Sequence, residues 1–279
     1  MTVKRRELLG AAAAVAAAGA LTHCTKKEGG STTSAIPKTK FRWRLVMVIP
    51  KTLPVWGPGV VRFADQVRIM SEGALDIKVF GAGEMVPALG TFDAVTAGQV
   101  EMGHSASYYW QGKIPASAFF TAVPFGMNAL GMRSWLHSGG GQELWDELYA
   151  PLGVFSLPMG NTGLQMGGWY NKEINTIADY QGLKMRIPGL GGKVIAKAGA
   201  NPMLVAGGEI YTNLTTGVID ATEWVGPYHD YTMGFQKAAK NYYYPGWHEP
   251  GPVLELMINQ KAWDKLPKEL QAIVTACAA

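Results

Sequence analysis

From residue 41 onward, strand-like and helix-like segments alternate at short intervals, and this alternation restricts the fold more than any other feature of the chain. FRWRLVMVI (41–49) is apolar and strand-like. WGPGVVRFADQVRIMSE (56–72) repeats Val60, Phe63, Ala64, Val67 and Met70 at the spacing of one helical face. ALDIKVF (74–80) alternates with the period of a strand. A loop at 81–87, a short helix at 90–97 and a strand at VEMGHS (100–105) complete a β-α-β-α-β series, which opens an α/β lobe.

The pattern continues. A helix is expected over 133–150, carrying Trp135, Leu144, Trp145 and Leu148. Strands are expected at 154–159, 165–170, 183–187, 221–225, 241–244 and 254–259, with helices at 191–199, 208–216 and 261–276. Three α/β units precede Gln165 and two more precede Trp224, so the expected fold is α/β with two lobes. The chain would cross between them near 160–166 and again near 223–228. Residues 41–164 and 225–260 would form the first lobe, and 165–224 with 261–279 the second. Clefts between lobes, beyond the carboxyl ends of strands, are favoured ligand sites.

Composition narrows the class. Of 279 residues, 48% are hydrophobic and 16% charged, enough apolar material for a sizeable core. Lys4, Arg5, Arg6 and Glu7 supply half of the formal charge of +4, so the body carries only about +2. That balance, with basic residues scattered, gives no footprint for nucleic acid. Residues 1–24 read as an export signal: the basic cluster, then Leu8-Leu9-Gly10 and an Ala-rich stretch to Leu21. The adjacent arginines partly match a twin-arginine signal. Leu21-Thr22-His23-Cys24 resembles a lipobox, with His23 where a small residue is usual. Lipidation of Cys24 and ordinary cleavage nearby are the two alternatives. Residues 25–40 form a polar tether. Cys277 is the other cysteine, so no disulfide framework is implied.

The functional reading grows from Arg186, which sits between Met185 and Ile187 with no acidic residue within five positions on either side. A desolvated guanidinium without an anionic partner is costly. A small carboxylate from outside the protein is one such partner; Asp220 or Glu209, from another element, is the alternative. Other chemistries fail on spacing. In RIPGLGGKV, Lys193 is followed by Val194 instead of Ser or Thr, which excludes a phosphate loop. The five histidines are not paired at metal-ligand spacing, and no G-x-S-x-G elbow occurs. The absence of a nucleophile–base pair favours a binding protein over an enzyme.

Four runs decide the family: GLQMGGWYNKEI, GLKMRIPGLGGKVIAKAGANP, GGEIYTNLTTGVIDATEWVGPY and YYYPGWHEPGPVLELMINQKAW. Over residues 41–279 the chain resembles the DctP-type solute-binding proteins of TRAP transporters, most closely the branch that binds 2-oxo acids such as pyruvate. The resemblance implies a two-lobe periplasmic binding protein, type II-like, hinged between its lobes. It implies that Arg186 grips the ligand carboxylate. It also implies that a sodium ion is held by Gln165, Glu223 and the carbonyl of Trp224, and that the partners are TRAP membrane subunits. Trp224 is also a candidate flat wall for a planar acid, Tyr108 a candidate wall of the first lobe, and Asn161 a candidate hydrogen-bonding group. Tyr109 and Trp110 could line that wall too; Trp247 and His248 read as lobe packing.

Arg186, Glu223 and a monocarboxylate would leave one negative charge, which one Na+ cancels; Ca2+, the alternative, would leave one positive charge unless another carboxylate joined, and it tends to recruit more carboxylate oxygens. Rival functions are a receptor for lactate or another hydroxy acid with calcium, and an exported enzyme acting on small acids. Family members continue past KELQAIV with further helices, so the C-terminal helices are expected to be truncated here and the second lobe incomplete. Such helices build a homodimer in the 2-oxo acid branch. The expected location is the periplasm, either free or anchored at Cys24.

Overall fold

The structure, a computed structural model, describes residues 36, 37 and 39–279. The export signal at 1–24, Cys24 and most of the tether lie outside the described residues. Among the described residues no helix is long and apolar enough to cross a membrane.

The opening follows the alternation read from the sequence: β1 (Phe41–Met47), α1 (Trp56–Met70), β2 (Leu75–Phe80), α2 (Thr91–Thr96) and β3 (Met102–Ser105). Helix α1 buries Val60, Phe63, Ala64 and Val67, the stripe its spacing predicts, while Met70 at its end is half exposed. The expected helix at 133–150 is two: α3 (Ala129–Ser138) and α4 (Gly141–Tyr149). Gly140 between them has φ 82°, outside helical space, and a Cβ on Gly141 would meet the Trp135 ring at 2.7 Å. The turn lets Trp135 pack against the start of the next helix. Strand β4 (Val154–Asn161) follows.

The second run comprises β5 (Gly168–Tyr170), β6 (Lys184–Arg186), α5 (Gly189–Lys197), β7 (Asn201–Met203), α6 (Ile210–Thr215), β8 (Ala221–Thr222), α7 (Pro227–Thr232), α8 (Phe235–Ala238) and β9 (Asn241–Tyr243). Strand β7 is absent from the sequence pattern; its central Pro202 and short length hide it. The chain closes with β10 (Val253–Asn259), α9 (Gln260–Trp263) and α10 (Lys268–Ala278). The helix expected at 261–276 divides ahead of Pro267, which caps α10.

Two five-stranded mixed sheets result, in the orders β2-β1-β3-β10-β4 and β7-β6-β8-β5-β9. In the first, β1 runs parallel to β2 and β3, and β10 is inserted antiparallel between β3 and β4. In the second, β6 is parallel to β7 and β8, while β5 is antiparallel to β8 and β9.

The sheets correct the expected division of the chain. Because β9 pairs with β5, the chain stays in the second lobe until Tyr243. The second crossing therefore falls at 244–252, between β9 and β10, and not at 223–228. The final helix α10 packs on α1 and β4 of the first lobe, burying Leu270 and Val274, and so does not belong to the second. The first crossing is the segment 162–167, between β4 and β5.

Candidate functional site

Register builds the site. Strands β6 and β8 run parallel with Arg186 beside Thr222, so the residue after β8, Glu223, comes level with the guanidinium. The Glu223 N–H donates to the Arg186 carbonyl at 3.2 Å. In return Arg186 Nη1 donates to the Glu223 carbonyl at 3.0 Å and to its Oε1. Arg186 Nε donates to the Val205 carbonyl at 3.3 Å, and Nη2 to the Tyr109 hydroxyl, from the first lobe, at 3.3 Å. Both members of the pair are buried, at 1% and 0% exposure. Burial, the largest single influence, works against the guanidinium charge, yet Glu223 with Tyr109, Tyr108 and Glu249 together outweighs it and holds the Arg186 pKa above its usual value. The alternative partners are thereby set aside: Asp220 accepts from the Lys184 backbone N–H at 3.0 Å.

Trp224 covers this pair. Its ring lies 5.2 Å from the guanidinium carbon, within cation–π range. Against the edge of its six-membered ring sits Gly207, where a Cβ would meet the indole at 2.3 Å, so only glycine leaves the ring its place.

The crossings supply the rest. Gln165, in the first, donates its Nε2 to Glu249 Oε2 at 2.7 Å and to Thr162 Oγ1 at 3.1 Å. Backbone bonds tie the two crossings together: Gly246 N–H to the Gln165 carbonyl at 2.9 Å, and Gln165 N–H to the Glu249 carbonyl at 3.2 Å. His248 Nε2 lies 3.2 Å from Glu223 Oε2. One ligand atom from each of Glu223, His248 and Glu249 falls within 4.8 Å of the others, and all three residues are buried. Burial first, and then the neighbouring Glu223 carboxylate, push the Glu249 pKa well above the carboxylate range; Arg186 opposes them.

Buried polar atoms without a protein partner gather here: Gln165 Oε1, His248 Nδ1 and Trp224 Nε1. An orphaned amide oxygen among two carboxylates is an oxygen-rich donor set of the kind a hard cation takes. The residues present therefore fit a Na+ or Ca2+ ion, with Gln165 and Glu223 as ligands and Glu249 beside them.

A cavity of about 30 Å³ adjoins the cluster, between Trp56, Tyr108 and Tyr109 of the first lobe, Trp224 and Val225 of the second, and Gln165. It exceeds the roughly 10–15 Å³ that a single water needs.

Of the residues singled out from the sequence, the structure brings Arg186, Gln165, Glu223, Trp224 and Tyr108 together. Asn161 is not among them: its amide donates to the Gly251 carbonyl at 3.0 Å and its Oδ1 accepts from Gly163 N–H at 2.7 Å, so it serves the turn after β4. Trp110 also turns away, donating to the Tyr149 hydroxyl at 2.7 Å in the first-lobe core. Sequence reasoning misses Glu249 and reads His248 as packing. The charge count changes accordingly, because a second buried carboxyl stands at the site.

The comparisons with known proteins agree in kind. The family described as bacterial extracellular solute-binding protein, family 7 (DctP), matches residues 47–279. A monocarboxylate 2-oxoacid-binding periplasmic protein of Nostoc sp. is 49% identical over 271 residues, spanning 97% of this chain and 74% of its own length. A TRAP periplasmic solute binding protein of Pseudoalteromonas atlantica, solved with bound sodium and pyruvate, is 50% identical with a TM-score of 0.84, covering 86% of this chain and 73% of that one. Its counterpart from Colwellia psychrerythraea, with bound calcium and pyruvate, is also 50% identical, with a TM-score of 0.83 and the same coverage.

Proposed function

Because the chain belongs to family 7 of the bacterial extracellular solute-binding proteins, the DctP family, we propose that this receptor captures a small 2-oxo monocarboxylate of the pyruvate type together with a cation. A member of this family is a binding receptor and not an enzyme, and its place is extracytoplasmic. Delivery to TRAP membrane subunits and an anchor at Cys24 extend the same reading.

One observation carries the proposal: Arg186 and Glu223 of the second lobe, Tyr109 of the first, and Gln165 and Glu249 of the two crossings meet at one buried point. A ligand bound there touches both lobes and both hinge segments, so its binding energy favours the closed form. Arg186 is the carboxylate anchor. Its Nη1 is spent on Glu223 in this structure, so a two-pronged grip requires Glu223 to turn toward the cation while Arg186 takes the ligand. When bound, the cation supplies a Lewis-acidic contact for the keto and carboxylate oxygens. Gln165 Oε1 and Glu223 hold it, and the Trp224 carbonyl is the third ligand of this reading. Trp224 and Tyr108 supply flat walls that suit a planar acid.

Calcium is the second reading, and Glu249 favours it. Counting both carboxylates ionised, Arg186 and a monocarboxylate leave two negative charges, which Ca2+ cancels. With a proton on Glu249 only one remains, and Na+ suffices. Titration calorimetry with pyruvate in sodium, potassium and calcium buffers tests the proposal. Heat in the sodium or calcium buffer and little in potassium is expected; equal heats in all three would remove the cation, and no heat in any would remove the ligand.

A further inference from the structure

Outside the ligand cluster, a contact between His229 and Trp56 spans the two lobes without an assigned role. The imidazole of His229, on α7, stacks on the indole of Trp56, at the start of α1, with centroids 4.2 Å apart and planes 8° from parallel. His229 Nε2 also lies 3.1 Å from the Pro54 carbonyl. A carbonyl can only accept, so Nε2 carries the proton in that bond.

The two partners are fixed to different lobes. Helix α7 is held by Asp230, whose Oδ1 accepts from the N–H groups of Val225 and Gly226 at 3.1 Å. Asp230 Oδ2 accepts from Trp169 Nε1 at 3.2 Å and the Tyr242 hydroxyl at 2.8 Å, on β5 and β9 of the second sheet. Trp56 belongs to α1, which packs on β2 of the first sheet. The indole also forms part of the cavity wall.

The turn that presents Trp56 is strained. Val55 adopts φ 66° and ψ −67°, and Trp56 N–H donates to the Pro54 carbonyl at 2.8 Å, a γ-turn of the rare positive-φ kind. For a β-branched residue this is an outlier, and Val55 is 62% exposed, so burial of its own side chain does not impose it. Such strain persists where surrounding contacts over-determine it, and it concentrates at ligand clamps. Here the turn is backed by Gly57, where a Cβ would meet the Lys51 carbonyl oxygen at 2.1 Å. Its outcome is that one carbonyl, that of Pro54, accepts both the turn's own N–H and the His229 proton.

We propose that His229 and the Pro54–Trp56 turn form a latch across the mouth of the cleft, in which His229 is a positioning residue that holds Trp56 on the ligand cavity and sets how long the closed, loaded receptor lasts. The latch is made only when the lobes meet, so breaking it raises the dissociation rate and leaves the encounter rate alone. This inference rests on the receptor reading above.

Stopped-flow binding of pyruvate in the cation buffer that supports it, with intact wild-type chain, His229→Ala and His229→Phe, tests it. The expected result for His229→Ala is an off-rate increased about tenfold with an on-rate within about twofold of wild type, and for His229→Phe, which keeps the stack and loses the bond, an intermediate off-rate. An unchanged off-rate in His229→Ala, or a loss confined to the on-rate, would overturn the latch. The Trp56 indole N–H signal, assigned through Trp56→Phe, gives a second readout in the closed, loaded receptor: ring-current loss in His229→Ala must shift it, and an unmoved signal also overturns the proposal. Absence of pyruvate binding to wild type sinks the ligand reading, whereas binding with an off-rate that His229→Ala leaves unmoved sinks the latch alone.

Discussion

Gln165 donates to Glu249 across the two crossing segments, with Nε2 and Oε2 2.7 Å apart, and this bond settles which end of the amide is left for a ligand. An ionised Glu249 can only accept, so the NH2 end then faces Glu249, and Oε1 is the atom without a protein partner. On the proposed reading, Glu249 thus orients the Gln165 amide toward the cation from outside the set that the sequence points to, in the way outer partners orient metal-binding side chains elsewhere.

Replacing Glu249 with Gln should change cation preference more than ligand preference. One negative charge is removed while a hydrogen-bonding amide remains for Gln165. Calcium-supported binding of pyruvate is expected to weaken by roughly ten- to a hundredfold, about 1.4–2.8 kcal/mol, and sodium-supported binding by much less. Calorimetry in the two cations measures the ratio; a ratio equal to that of wild type would count against Glu249 as the charge determinant.

Arg186→Ala should fail in two separable ways. Ligand binding disappears with the anchor. The folded state also loses about 3–5 kcal/mol, because Glu223 is left buried without its cation. Adding Glu223→Gln should restore much of the stability and none of the binding. Arg186→Lys restores neither fully, since an ammonium cannot reach Val205, Glu223 and Tyr109 together. Urea melts beside calorimetry separate the two losses.

The legible parts of this protein are those carried by local pattern. The stripe of α1, the first three strands and the MRIPG and ATEW runs each show themselves within a short window. Sheet order does not, because nothing in the local pattern of β10 tells that it inserts antiparallel between β3 and β4. Nor does the length of the second lobe: Asn241–Tyr243 is three aromatic-rich residues whose place depends on pairing with β5, more than seventy residues earlier. Misplacing that strand moves the second crossing to 223–228 and takes Glu249 out of view. In sequence Glu249 is one glutamate between His248 and Pro250. Its meaning comes from the return of that segment to Gln165, 84 positions away. His248 reads as packing for the same reason, whereas the glycines around Asn161 in GNTG already point to turn chemistry beside the ligand role, and the turn is what its side chain serves.

Gly207→Ala probes the wall of the site without touching a charged group. A Cβ there would meet the Trp224 ring at 2.3 Å, so the indole must move, and with it the cover over Arg186. Overpacking of this kind costs about 1–3 kcal/mol of stability. Affinity for pyruvate is expected to fall at least tenfold. Gly208→Ala, where a Cβ meets nothing within 4 Å, is the control and should bind as wild type. Equal affinities for the two variants would show that the Trp224 position is unimportant.

Stability should fall as pH rises, because three buried carboxyls, those of Glu249, Glu255 and Asp230, keep their protons in the folded state. Glu255, on β10, is pushed up by burial from 4.5 to about 8, with Ser107, Ser156 and Tyr149 pulling the other way. Asp230 is pushed up by burial from 3.8 to about 6 against its four donors. A carboxyl whose pKa is raised on folding binds more protons folded than unfolded, so its contribution is complete below the unfolded pKa and is lost as pH climbs through the folded one. The Asp230 share is lost between 3.8 and about 6, and the Glu255 share between 4.5 and about 8. A proton held across such a window is worth about 1.4 kcal/mol for each pH unit it spans, so Glu255 accounts for several kcal/mol. Glu255→Gln carries no ionisable proton and should flatten the unfolding free energy between pH 6 and about 8, a range fixed by those two folded values. Urea titrations of both proteins across that range measure the slope, and a variant as steep as wild type would assign the loss to another group.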